Sequence, residues 1–306
     1  MISNLNKFQL YSICILFIIA LGWLSLALSL FGIFYTEIII LFILIGASIL
    51  AYILFFNFHK IKLSKGFIVL VAISLLTVSL FSYYSTPTIY SGRDQGALSE
   101  AAIRLSQNHK FDFSFDASRE FFKIYGPGKA LNFPGFYYED NGQLKTQFYP
   151  GYISWLAGFY SLFGPVGMII ANGISFFIFL MAFYLLARKY LPLYLSFGAV
   201  LLIITTFIFS WFFKFTLSEN LSLMLLWVGI SEFMTFLKNE KRIHLFLVFL
   251  SFGLLTFVRL EGLAFFAIII LILYAKYKNW KEIFINIFGR KIILLLFLIF
   301  LSYSYF

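Results

Sequence analysis

The chain has 306 residues, of which 62% are hydrophobic and only 12% charged, whereas soluble domains carry about 25% charged residues. Water is therefore not its solvent, because a soluble core of this size needs a polar shell and the residues for one are absent. The formal net charge of +10 sits in short Lys and Arg clusters between apolar runs instead of along one face, which argues against nucleic acid and for membrane topology.

From the N-terminus, Lys7 precedes an apolar stretch reaching about Phe34. It is too long for a signal-peptide core and has no small-residue cleavage site, so it reads as a retained helix. The single cysteine, Cys14, lies inside it, which excludes an intrachain disulfide and a thiolate metal cluster and leaves a small buried hydrophobe. Apolar runs of spanning length continue along the chain at 8–31, 34–56, 66–84, 166–187, 193–213, 216–237, 243–258, 260–275 and 291–306. They predict an all-α integral membrane protein with about nine transmembrane helices. The last run reaches the C-terminus without a tail, as in a truncated chain or a gene product missing further helices.

Orientation follows from charge. Lys7, the cluster His59-Lys60-Ile61-Lys62 with Lys65, Arg188-Lys189, Lys238 to Arg242, and Lys276 to Lys281 with Arg290-Lys291 all fall on the cytoplasmic side under the positive-inside rule. That assignment places the N-terminus in the cytoplasm of a multi-pass plasma or inner-membrane protein. It holds only if the apolar stretch 148–163 does not cross. Pro150, Gly151, Gly158 and Gly164-Pro165 also make this stretch a poor continuous span. It is expected as a short helix in the outer interface, where Tyr149, Tyr152, Trp155, Phe159 and Tyr160 would sit at the aromatic belt. The same parity argument turns the chain near Arg259 to Glu261 and returns it as two short helices.

Most polar residues away from the cytoplasm lie in Ser85 to Gln147, the one loop large enough for a site. Within it, Gly96 to Asn108 is expected as an amphipathic helix, with Ala97, Ala101, Ile103 and Leu105 opposed to Ser99, Glu100, Arg104 and Gln107. Residues 111–147 read as turns and short extended pieces around Gly126-Pro127-Gly128, Pro134-Gly135 and Asn141-Gly142.

No phosphate-binding glycine loop, dinucleotide fingerprint or zinc-protease helix motif occurs. The three histidines, His59, His109 and His244, are scattered, which argues against a metal trio. What remains is acids and bases at the membrane boundary. Asp94 follows a span in Gly92-Arg93-Asp94-Gln95-Gly96, where it would serve as a general base or as a helix N-cap. Glu219 opens a long apolar run, where a carboxylate suits the helix N-terminus and Ser218 or Thr216 would supply the cap. Arg259 is costly at this depth unless it meets water, a carboxylate or a phosphate, with Glu261 and Glu219 as the bland partners. Glu139-Asp140 precede a turn and read first as solvated turn residues.

Together, Gly92-Arg93-Asp94-Gln95-Gly96, the stretch Asn141 to Tyr152 with its Phe148-Tyr149-Pro150-Gly151-Tyr152 end, Ser218-Glu219-Asn220 and Val258-Arg259-Leu260-Glu261-Gly262 resemble the polytopic GT-C glycosyltransferases, in the branch of protein mannosyltransferases and lipid A aminoarabinose transferases. The resemblance covers about residues 66 to 275, in order and at similar spacing, through short degenerate motifs. It implies transfer of a sugar from a polyprenyl-phosphate donor to a lipid, glycan or protein acceptor on the extracytoplasmic side. Asp94 would be the base and Glu219 a site-organising carboxylate. Arg259 would face the donor phosphate, with Arg93 and Lys214 as helpers, and Glu139, Asp140 and Tyr149 would be loop positions near the acceptor. Arg259 with these helpers could neutralise the phosphate without a metal, or Asp94 with Glu219 could instead hold a divalent cation against it. The resemblance divides the chain into an N-terminal transmembrane hairpin (1–65), a catalytic membrane domain (66–275, outer loop 85–165) and a cytoplasmic linker with a final helix (276–306). Three departures accompany it: two helices before residue 66, a single Asp94 in place of an Asp-x-Asp pair, and the absence of later helices. Two rivals from other classes are a non-catalytic membrane subunit and a transporter or flippase. The transporter would place ionisable residues at mid-span, where this sequence reads as apolar.

Overall fold

In a computed structural model of the chain, the described residues are 7–57, 64–86, 88–89, 93–126, 135–139 and 142–277. They form twelve helices and one small hairpin. The first half contains α1 (Lys7–Leu30), α2 (Thr36–Asn57), α3 (Lys65–Tyr83), α4 (Asp94–Asn108), α5 (Asp116–Tyr125), β1 (Phe136–Tyr138) and β2 (Leu144–Thr146). The second contains α6 (Pro150–Phe163), α7 (Pro165–Tyr190), α8 (Leu193–Thr205), α9 (Phe207–Lys214), α10 (Ser218–Asn239), α11 (Arg242–Thr256) and α12 (Glu261–Lys276).

Five helices, α1, α2, α3, α7 and α10, are long and apolar enough to cross a membrane, and α8 with α9 makes a sixth if the bent pair counts as one span. This is the composition of a multi-pass membrane protein. The nine expected spans reduce for identifiable reasons. The run 291–306 lies outside the described residues, and α11 and α12 contain only 15 and 16 residues. The run 193–213 is not continuous: α8 and α9 meet at a 58° bend. At the break Thr206 leaves helical geometry, and the hydroxyls of Thr205 and Thr206 donate back to the carbonyls of Leu201 and Leu202 at 2.9 and 2.6 Å. Such back-bonding gives carbonyls of the last turn before the bend a second partner and accommodates the kink inside an apolar environment.

The stretch expected as a short helix at the outer interface is a short helix, and it is packed in the middle of the protein core instead of presenting its aromatic residues outward. Residues 150–159 of α6 are all buried, and the helix packs against α1, α4 and α7. Tyr152 and Trp155, expected as interfacial anchors, are 0% and 1% exposed. Small residues explain the difference, because they let neighbours approach the α6 backbone. A Cβ on Gly158 would meet Ser25 Oγ at 3.0 Å, and one on Gly151 would meet the Phe257 carbonyl oxygen at 2.7 Å. The principal core then joins Ile15, Ile19 and Leu26 of α1 with Leu98 and Ala102 of α4, Trp155 and Leu156 of α6, Leu225 and Val228 of α10, and Val248 and Phe252 of α11. A second cluster around Phe176, Phe179 and Phe213 joins α3, α7, α8 and α9, with Phe81, Phe176 and Phe213 stacked in series.

The bundle has two chemically distinct ends. At the basic end stand Lys65, Arg188, Lys189, Lys238, Lys241, Arg242 and Lys276, each at or next to a helix terminus. Lys189 Nζ donates to the Ser231 carbonyl at 2.8 Å and to Thr235 Oγ1 at 2.6 Å, which fixes α7 and α10 together there. At the opposite, loop end, α4, α6, α10 and α12 all begin. The expected amphipathic helix is α4, one residue pair longer than predicted, with Ala97, Ala101, Ile103 and Leu105 buried as expected and Ser99 buried with them. The glycine-punctuated stretch contributes the antiparallel β1–β2 hairpin, with Tyr137 opposite Lys145 and Gly142 at φ +80° in its loop. Arg104 lies over the rings of Phe113 and Phe115 beside it.

One expectation about the interior does not hold. Glu232 lies inside α10, 3% exposed, and His244 Nδ1 stands 2.6 Å from Glu232 Oε2. Ser12 donates to the other carboxylate oxygen at 3.1 Å, so this cluster ties α1, α10 and α11. A buried carboxylate needs such partners to offset its desolvation.

Candidate functional site

Three turns and one helix start meet at the loop end, and hydrogen bonds across long sequence separations hold them together. The Thr216 and Ser99 hydroxyls stand 2.6 Å apart, each 2.8 Å from the Gln95 carbonyl. This joins the segment before α10 to the first turn of α4, so Thr216 is a cross-link and not the expected cap. The residue preceding α10 is Leu217, and no side chain caps that helix. Asn172 and Asn220 both donate their amides to the Phe215 carbonyl at 2.9 Å, and the Tyr152 hydroxyl donates to Asn172 Oδ1 at 2.8 Å. The two amides add to the Leu217 N–H, which donates to the same carbonyl at 3.0 Å, and so fix the α9–α10 break among the apolar helices. The Gly151 N–H donates to the Phe257 carbonyl at 2.8 Å, which brings the start of α6 onto the α11–α12 turn. Gly262 closes the same turn: a Cβ there would stand 2.6 Å from the Leu255 carbonyl.

These contacts enclose a cleft of about 210 Å³ lined by Asp94 and Leu98, Phe148 and Tyr149, Leu217 to Glu219, and Val258 to Glu261. Asp94, Glu219, Arg259 and Tyr149, four residues singled out by sequence, line one cavity. Asp94 is the first residue of α4 and is exposed; the residue preceding the helix is Arg93, so Asp94 is not the N-cap. Its carboxylate makes no hydrogen bond or ion pair among the described residues, leaving it open to a proton. Arg259 has the opposite character. Its Nη1 stands 2.7 Å from Glu219 Oε1 and 3.4 Å from Ser218 Oγ, while Nε and Nη2 face Glu261 Oε2 and Oε1 at 3.3 and 2.9 Å. The Glu261 carboxylate, with Glu219 behind it, holds the guanidinium above its ordinary range, so Arg259 is a fixed cation at any working pH.

Asp94, Glu219 and Glu261 each occupy the first turn of a helix that begins at the cleft, where the N–H ends favour negative charge. Asp94 and Glu219 line the same cavity, and a magnesium-like ion uses one or two protein carboxylates with substrate phosphate and water. Among the described residues no three His, Cys, Asp or Glu side chains group as a metal site.

Of the remaining predicted residues, Arg93, Lys214 and Glu139 do not line the cleft. Arg93 is exposed before α4. Lys214 ends α9, near the Phe215 ring, and its carbonyl accepts from Ser85 Oγ. Glu139 pairs with Lys145 at 3.5 Å beside the hairpin, and Asp140 lies outside the described residues, as does His59.

A second cavity, of about 330 Å³, adjoins the first and is apolar. Ile208, Phe209 and Phe212 of α9 form one wall, and Leu223, Leu226 and Phe265 form the others. Glu219, Arg259 and Glu261 line both cavities, so the ion-pair cluster stands between a polar chamber and a greasy one. The bend at Thr206 sets α9 at the angle that makes this wall. Sequence reading missed the groove and the supporting Asn172, whose one signal is a lone amide in the apolar run 166–187. Comparison with protein-family models, with curated proteins and with solved structures finds no match to this chain.

Proposed function

We propose that the protein is a membrane glycosyltransferase of the GT-C type, which moves a sugar from a polyprenyl-phosphate carrier to an acceptor on the extracytoplasmic side. The observation that carries this reading is the fixed cation Arg259 between an apolar groove and a polar cleft that also holds the carboxylate of Asp94, which pairs with no other described residue. An amphiphile with a hydrocarbon tail, a phosphate and a polar head has its three parts matched by groove, guanidinium and cleft. The basic helix ends at the opposite pole support an extracytoplasmic cleft through the positive-inside rule.

The chemistry assigns each group one task. Asp94 takes the proton of the acceptor hydroxyl or amine as its oxygen or nitrogen attacks the anomeric carbon. The bond from that carbon to the phosphate oxygen breaks, and its electron pair leaves on the carrier phosphate. Arg259 offsets that growing charge from a position fixed in advance, which is where charge stabilisation is most effective. Glu219 keeps the guanidinium oriented; Asp94 and Glu219 are the residues that would hold a divalent cation, which would supply additional charge neutralisation. The test is a transfer assay in membranes with radiolabelled polyprenyl-phosphate sugars and the full-length gene product. Label should pass to an acceptor with wild type and not with Asp94→Asn. Equal transfer by both would remove Asp94 as base, and no transfer by folded wild type with a range of donors would remove the reaction itself.

The buried Glu232–His244 pair favours a second reading, a proton-coupled transporter, since ionisable residues inside a helical bundle often mark a transport path. It stands 13 residues along α10 from Glu219, about 20 Å at the helical rise, and neither residue lines the cleft or the groove. Substrate flux into proteoliposomes without any transfer product would favour that reading over the transferase.

A further inference from the structure

The cleft carries three carboxylates, Asp94, Glu219 and Glu261, against the single guanidinium of Arg259. An incoming phosphate therefore meets a seat that is already taken. A guanidinium binds a phosphate most strongly through two parallel N–H bonds from one edge. In the ligand-free protein the edge formed by Nε and Nη2 is filled by both oxygens of Glu261, at 3.3 and 2.9 Å, whereas Glu219 takes Nη1.

The two carboxylates differ in how easily they leave. The Glu219 side chain is 32% exposed and the Glu261 side chain 61%, and ion pairs of exposed carboxylates are weak and screened. Glu261 is two residues from Arg259 across the α11–α12 turn, so a change of side-chain rotamer frees the edge without moving the backbone. It also faces both cavities, so it stands where the phosphate of an amphiphile spanning groove and cleft would lie.

We propose that Glu261 is an exchangeable occupant of the phosphate seat on Arg259: it fills the seat in the free protein and is displaced by the substrate phosphate, while Glu219 stays in place. This rests on the transferase reading and adds a regulatory contact to it. Glu261 keeps Arg259 neutralised when no carrier is bound and opposes binding of anions that bring no hydrocarbon tail to offset its displacement. Its role differs in sign from a positioning role. A residue that merely orients Arg259 would weaken phosphate binding when removed, whereas a competitor strengthens it.

The experiment is a binding titration of the purified full-length protein with undecaprenyl phosphate as probe and undecaprenol as its neutral counterpart, on wild type, Glu261→Gln, Glu261→Ala and Arg259→Gln. Thermal unfolding confirms that each variant is folded. Both Glu261 variants should bind the phosphate lipid roughly fivefold more tightly than wild type, the span of one weak ion pair, with undecaprenol binding unchanged. Unchanged or weaker phosphate-lipid binding by both, with Arg259→Gln still impaired, overturns the exchange and leaves the transferase reading standing. A wild type that binds undecaprenyl phosphate no better than undecaprenol, with Arg259→Gln indifferent, overturns both.

Discussion

Arg259 is held by two carboxylates and a hydroxyl, and its planar fork fixes the direction in which charge is presented. Lys supplies the same charge without the fork. Arg259→Gln should lower transfer by roughly 10²–10³-fold, the usual loss when one charge-stabilising donor is removed, and Arg259→Lys should fall between, as measured by initial rates at saturating donor. Asn172 makes a separate prediction: Asn172→Leu removes one of the three donors to the Phe215 carbonyl, leaving Asn220 and the Leu217 N–H, and takes away the oxygen to which the buried Tyr152 hydroxyl donates. It should cost about 1–3 kcal/mol of stability, read as a lower melting temperature in detergent. At this scale the acids and the base were legible because ionisable residues are rare in such a chain, and Asp94, Glu219, Arg259 and Tyr149 indeed share a cavity. Arg93 and Lys214 are equally polar and equally near in sequence, yet Arg93 precedes α4 on extended backbone and Lys214 closes α9 before an extended Phe215, and they do not line it. The partners of Asn172 and Glu232 lie up to 220 residues away, a separation that no local pattern encodes.

Elements meet at the cleft through close backbone contacts, and α6 shows what those require. Gly151 is pressed to 2.7 Å, measured from a notional Cβ, against the carbonyl of Phe257. Gly151→Val should separate α6 from the α11–α12 turn, reducing transfer by an order of magnitude or more, since misplacing reacting groups by about 1 Å costs on the order of 10²-fold. The check is a transfer assay on protein whose monodispersity matches wild type. The buried pair between α10 and α11 gives the element-scale stability test. His244→Leu leaves Glu232 with only Ser12 and should destabilise the protein by about 3–5 kcal/mol, whereas the double variant Glu232→Leu with His244→Leu should recover most of that loss. If single and double variants melt together, the pair contributes nothing as a pair. Helix positions were readable from apolar runs and charge breaks, including the turn at Arg259. The burial of α6 was not, because a glycine-rich apolar stretch looks the same whether its neighbours are lipid or protein. Nor was the α8–α9 bend, since Thr205 and Thr206 sit in an otherwise unbroken apolar run.

For the whole molecule, the separation of a basic end from a loop end makes a topological prediction. With Cys14 replaced by Ser, Gln107→Cys at the exposed end of α4 should react with a membrane-impermeant maleimide in intact cells, and Asn239→Cys at the basic end only after permeabilisation. The opposite pattern would put the cleft in the cytoplasm and remove the proposed acceptors. If the proposed transfer is the activity, the apolar groove has a further consequence for how the carrier arrives. Ile208 and Phe265, which line it, are exposed on the flank of the bundle, where the surrounding medium is hydrocarbon. A carrier entering there arrives by lateral diffusion in two dimensions, so occupancy is governed by its mole fraction in the bilayer and not by its amount per volume of suspension. Diluting the carrier with inert lipid at constant total carrier should slow turnover, whereas diluting the vesicles with buffer should leave the rate per enzyme unchanged.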